Sequence, residues 1–214
     1  MLARRVTAVL ASLTIAGAAA IGGATSASAH SKAPNHTAGT RSLAAVLAAD
    51  GSGFDHRWWD YDILDNAITA VLKAKPNSPV GVLADGTVPL TAFLPNDLAF
   101  ARLAHDLTGK WYPSEQAVFT AVASLGIDTV EAVLLYHVVP GATISYRAAL
   151  RSDHAVLTMA SGGTVTVRVV HRFFVRLVDA DPDDANPWVV APDINAGNRQ
   201  IAHGISEVLR PVNL

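Results

Sequence analysis

The sequence predicts an α+β domain. Apolar residues recur at helical spacing through the first half of the chain, β-branched and aromatic runs separated by turn residues fill the second, and the two kinds of segment do not alternate as a doubly wound sheet requires. No internal repeat is present, so one copy of the unit is expected.

The first element is a leader. Arg4 and Arg5 precede an apolar run from about Val6 to Ile21, and Ala27-Ser28-Ala29 follows, the pattern of a secretory signal peptide with an Ala-x-Ala cleavage site. Thr7, Ser12, Thr14 and Gly17 interrupt the run, which falls short of the roughly 20 apolar residues of a membrane span. Residues 1–29 are therefore expected to be removed, and no transmembrane segment is expected in the mature chain. Residues 30–41 are polar without an apolar period and read as a disordered tail, leaving 42–214 as the domain.

Within the domain, Leu43, Val46 and Leu47 mark a helix with Ser42 as its N-cap. Ile63, Leu64, Ala67, Ile68, Val71 and Leu72 mark a second helix, ended by Pro76. Pro89 to Pro95 reads as a strand, and Asn96 or Asp97 caps the helix that holds Phe100 and Leu103. Glu115 to Leu125 is a further helix closed by Gly126, and Asp128 with Glu131 has the spacing of a capping box at the start of the next. A short helical turn is expected between Ile144 and Leu150. Val156–Met159, Thr164–Val170, Phe173–Val178 and Trp188–Val190 then read as strands.

Composition excludes several functions. The chain has no cysteine, hence no disulfide, thiol nucleophile or thiolate metal site. Without Arg4 and Arg5, 14 basic residues face 18 acidic ones, a balance that argues against nucleic acid as a partner. Ser206 lies in Gly204-Ile-Ser-Glu-Val208, which lacks the second glycine of a nucleophile elbow, and no two histidines stand one helical turn apart as in a zinc hydrolase. No catalytic residue, cofactor or metal site is predicted.

Three clusters invite a functional reading. Asp179, Asp181, Asp183 and Asp184 suggest calcium, but the sixth and twelfth positions of a calcium loop hold Asp184 and Val190 instead of Gly and Glu. A solvated loop between strands is preferred, with calcium left open. Trp58 and Trp59 are expected to pack over one end of the core, with one ring available to a ligand or partner. Tyr136 and His137 sit in the apolar run of Glu131 to Gly141, and the expectation is a buried pair whose polar tips fasten neighbouring segments.

Three boxes carry a family resemblance. Leu90-Thr-Ala-Phe-Leu-Pro-Asn-Asp-Leu-Ala-Phe100 resembles the first signature box of fasciclin domains, Leu134-Leu-Tyr-His-Val-Val-Pro-Gly141 the central Tyr-His box, and Asn198 to Pro211 the second signature box. The resemblance is closest to secreted single-domain members of actinobacteria. It implies helices packed around a β-wedge of antiparallel and mixed strands, and adhesion through extracellular or cell-surface proteins, or a second copy of the chain, without catalysis. It also implies binding roles for Tyr136, His137, Pro192, Asp193 and Ile194. Ser206 stands where the family usually has Asp, and His203-Gly204 replaces the more common His-Val, which puts polar contacts at that end in question. The alternatives are a small-ligand or carbohydrate-binding module built on Trp58 and Trp59, and a hydrolase built on His137 or His203.

Overall fold

The computed structural model describes residues 37–51 and 53–212, so the expected signal peptide and residues 30–36 of the expected tail lie outside the described residues. Helix α1 (Leu43–Leu47) is capped by Ser42, whose hydroxyl accepts from the Ala45 N–H. Helix α2 (Asp62–Ala74) and a 3₁₀ helix (Pro79–Ala84) lead to strand β1 (Leu90–Pro95). Helix α3 (Asp97–Thr108) follows at once, its first turn capped by Asn96 Oδ1 accepting from Ala99 N–H at 2.9 Å. Gly109 closes α3 in the left-handed conformation, at φ 69°.

Helices α4 (Glu115–Ala123) and α5 (Ile127–Leu135) precede the short strand β2 (Val138–Pro140) and helix α6 (Tyr146–Ala149). The remaining strands are β3 (Val156–Thr158), β4 (Thr164–Val170), β5 (Phe174–Val178), β6 (Val189–Ile194) and β7 (Gln200–Ile205). They form a four-stranded sheet in the order β2-β1-β7-β6 and a three-stranded antiparallel sheet in the order β3-β4-β5. The first and last signature boxes lie side by side, because β1 and β7 run parallel from Leu90↔Gln200 to Pro95↔Ile205.

Every residue of β1 and β7 is buried, and the strand pleat distributes them between two cores. Leu90, Ala92 and Leu94 join the helical core with Leu43, Ile63, Val71 and Phe100, whereas Phe93 joins Val165, Val167, Leu177, Ile205 and Leu209 on the side of the three-stranded sheet. At roughly 1.5–3 kcal/mol for each fully buried large aliphatic side chain, the central pair β1 and β7 links two substantial stabilising clusters.

Three local expectations change. Gly126 does not close α4, which ends at the Ser124 cap; its φ of 89° makes it the N-cap of α5. Asp128 and Glu131 form no capping box, because α5 starts one residue earlier, at Ile127, and Asp128 lies within its first turn; both carboxylates instead bind Lys75 at the end of α2, and Ser78 donates to Glu131. Residues 37–41 also differ from a disordered tail: Gly39 bridges Asn198, and Arg41 N–H donates to Asn198 Oδ1 at 3.0 Å.

Candidate functional site

Tyr136 and His137 leave α5 toward the interior, where both are buried. The Tyr136 hydroxyl donates to Thr164 O at 2.7 Å, tying α5 to β4. Its ring lies so close to Gly163 that a Cβ there would stand 2.7 Å from Tyr136 Cε2, which requires glycine at the start of the strand. His137 Nδ1 lies 2.7 Å from Val133 O, and Nε2 accepts from Leu209 N–H at 2.9 Å, which sets the proton on Nδ1. Burial pushes the imidazole down to about 4, so it is neutral and fully committed. The central box is a fastening between helix, hairpin and C-terminal segment.

Pro192, Asp193 and Ile194 fall on β6, which departs twice from regular register against β7. Pro192 is exposed, and Ile194 is half-buried against the helical core. Asp193 has a φ of 57°, its N–H donates to His203 Nδ1 at 3.2 Å, and its Oδ1 accepts from Tyr146 N–H at 2.8 Å. His203 Nε2 lies 2.8 Å from Ile144 O, and burial lowers its pKa, so a neutral His203 joins Asp193 in a structural hydrogen-bond network.

The two departures in the last box have local reasons. A Cβ at Gly204 would stand 2.2 Å from the Tyr61 hydroxyl and 2.8 Å from Ala191 Cβ, so no larger residue fits. Ser206 Oγ accepts from Trp188 N–H at 3.0 Å, and Arg102 donates to Ser206 O and to Glu207. Polar contacts at that end are therefore complete without the usual carboxylate.

The acidic loop is not simply solvated. Asp181 is buried, and Arg210 lies against Asp181 at 3.5 Å, Asp184 at 3.0 Å and Asp106 at 2.7 Å, while Asp179 accepts from Arg210 N–H. One buried arginine takes the place that a cation would hold. Trp58 packs against the helical core, whereas Trp59 is 72% exposed.

The surface residues that sequence reasoning missed lie on the outer face of the strands. Phe174 is 54% exposed, Val190 and Trp188 are also exposed, and Trp188 bridges Arg176 across the strand edge. The Arg176 guanidinium lies 5.8 Å from the Trp188 ring centroid, and Arg168 faces Arg176 across the β4–β5 ladder. The alternation of β5, with Val175 and Leu177 inward, already implies that Phe174 faces outward.

A fasciclin-domain family model matches residues 65–211. The chain belongs to the fasciclin family. Its three boxes thus have their family explanation, and its helices with mixed and antiparallel sheets fit the fasciclin fold. A solved FAS1 domain pair from the insect cell adhesion molecule Fasciclin I is similar at 14% identity and a TM-score of 0.43, over 67% of this chain and 44% of that one. The chain thus spans less than half the length of that domain pair. Among curated proteins, none matches. Fasciclin domains are generally non-catalytic adhesion domains of extracellular or cell-surface proteins. No single described helix of this member is long and apolar enough to cross a membrane.

Proposed function

We propose that this fasciclin domain is a secreted, non-enzymatic adhesion module that binds extracellular or cell-surface proteins, a second copy of itself included. The contact surface is the outer strand face bearing Phe174, Arg176, Trp188 and Val190. The observation that carries this reading is the exposed apolar strip itself, since contiguous exposed apolar surface marks interaction sites and Trp and Arg are the residues that anchor them. Two arginines directly opposed across a ladder repel one another and suit a partner that brings carboxylates.

In this reading Tyr136, His137 and Asp193 act as supports, because the Tyr136 hydroxyl, both His137 ring nitrogens and one Asp193 carboxylate oxygen are engaged internally. Pro192 remains at the margin of the proposed surface, exposed on the same strand as Val190. The test is capture of proteins from the producing organism's surface fraction by the wild-type chain and by a Phe174→Ser/Trp188→Ser variant. Loss of capture at an unchanged Tm supports the surface. Undiminished capture by the variant, or capture of sugar or lipid alone, overturns the reading.

A further inference from the structure

Five carboxylates converge where three helices begin. Asp62, Asp97 and Glu115 are the first residues of α2, α3 and α4, and Asp55 and Asp60 belong to the loop that precedes α2. Ligand oxygens of Asp55, Asp60 and Glu115 lie within 4.8 Å of one another, and so do those of Asp60, Asp62 and Asp97. Asp60 is common to both triads. The loop is fixed in place by its backbone, because Trp58 O and Asp60 O accept from the Leu98 and Asp97 N–H groups at the start of α3.

Half of this carboxylate surface is accounted for. Asp97 Oδ1 accepts from Ile63 N–H at 3.0 Å, and Glu115 Oε2 accepts from His56 N–H at 3.1 Å. Arg57 pairs with the exposed side of Asp55 at 3.3 Å. The inward oxygens are different. Asp97 and Glu115 are 0% exposed and Asp62 5%, yet Asp97 Oδ2, Glu115 Oε1, Asp62 Oδ2 and both oxygens of Asp60 meet no N–H or hydroxyl donor among the described residues, and the Asp60 and Asp97 carboxyls lie against each other. Buried polar atoms are nearly always partnered, and burying ionised carboxylates side by side is strongly unfavourable. Each helix N-terminus contributes only about half a positive charge, too little to balance the cluster.

We propose that Asp55, Asp60, Asp62, Asp97 and Glu115 form a binding site for a hard divalent cation, with Asp60 as the shared ligand and calcium as the ion. An all-oxygen set rich in carboxylates excludes soft metals, and ligands drawn from a loop and three helix ends suit calcium's irregular, high coordination better than the strict octahedron of magnesium. The site clamps the loop that presents Trp59 onto the ends of α2, α3 and α4.

The test uses the purified chain stripped with EDTA. For affinity in the millimolar range typical of extracellular modules, 10 mM calcium chloride raises Tm by about 3–6 °C. Terbium, which replaces calcium, gives luminescence on tryptophan excitation from Trp58 and Trp59, and calcium quenches it by competition. Asp60→Asn and, as a second variant, Glu115→Gln lose both signals, while Asp184→Asn in the acidic loop keeps both. Absence of both signals in the wild type, retention of them in Asp60→Asn or Glu115→Gln, or their loss in Asp184→Asn overturns the proposal. A shift with magnesium but not calcium overturns the choice of ion.

Discussion

The molecule buries polar groups in two places and treats them in opposite ways. Around His137 each ring nitrogen has a backbone partner, and the Tyr136 hydroxyl has its own. At the starts of α2, α3 and α4, Asp62, Asp97 and Glu115 each keep one buried oxygen without a described donor. A satisfied cluster stabilises one arrangement of the chain and offers nothing to a ligand, whereas an unsatisfied one retains free energy that a cation or a proton can release. The Tyr-His box is the closed cluster here, and the open one lies elsewhere.

Perturbations rank by how much of the closed cluster they remove. Deleting Ile201 to Leu214 takes away β7 and the Leu209 N–H bonded to His137, so no cooperative melting transition is expected; a soluble truncation that melts cooperatively contradicts this. His137→Ala orphans Val133 O and Leu209 N–H and leaves a void, at a cost of about 3 kcal/mol in urea titration, before any effect on partner capture. Unchanged melting with lost capture would return a binding role to the box.

The pH dependence separates the clusters by sign. His137 has a folded pKa of about 4, below the ordinary 6.5, so the unfolded chain takes up the proton first. Stability therefore falls as pH drops from about 6.5 to about 4, by roughly 3 kcal/mol in total. Asp62 is raised to about 6 from 3.8, so its folded form takes the proton first and its contribution to stability is lost as pH rises between those values. The two slopes oppose each other between about pH 4 and 6. In EDTA, Asp60→Asn weakens the repulsion that holds the Asp62 and Asp97 pKa values up, and chemical denaturation across that window should show a slope of stability against pH that is more positive than in the wild type. An unaltered slope would mean that the carboxylates are not coupled through Asp60.

Smaller effects follow. Tyr136→Phe removes one hydrogen bond and strands Thr164 O, a loss of about 1 kcal/mol measurable by thermal unfolding. Trp59→Ala, at an exposed ring, is expected to change stability by less than about 0.5 kcal/mol. A larger loss would show that the ring packs in solution.

Local chemistry was legible in the sequence where it acts locally. Ser42 and Asn96 cap the helices they precede, β4 runs from Thr164 to Val170 as its β-branched residues indicate, and Phe93, Ile201, Ile205 and Leu209 are core. The two signature boxes become neighbouring strands. What was not legible depends on distant partners. Asp128 and Glu131 have the spacing of a capping box, but Lys75 lies within reach only after α2 and α5 pack. The aspartates from 179 to 184 look like a solvated or calcium loop until Arg210 arrives. Asp62, Asp97 and Glu115 each resemble an ordinary acid in the first turn of a helix, and only their convergence on Asp60 motivates a metal site that the sequence did not suggest.

The position of β7 also governs when this domain can exist. The strand is made last yet lies between β1 and β6, and β1 waits for it from the moment Leu90 to Pro95 are synthesised. A nascent chain that ends before Gln200 has its helices but no centre for its sheet, so stable structure is deferred until β7 has been made. Proteolysis that removed β7 would therefore abolish the whole module instead of shortening it.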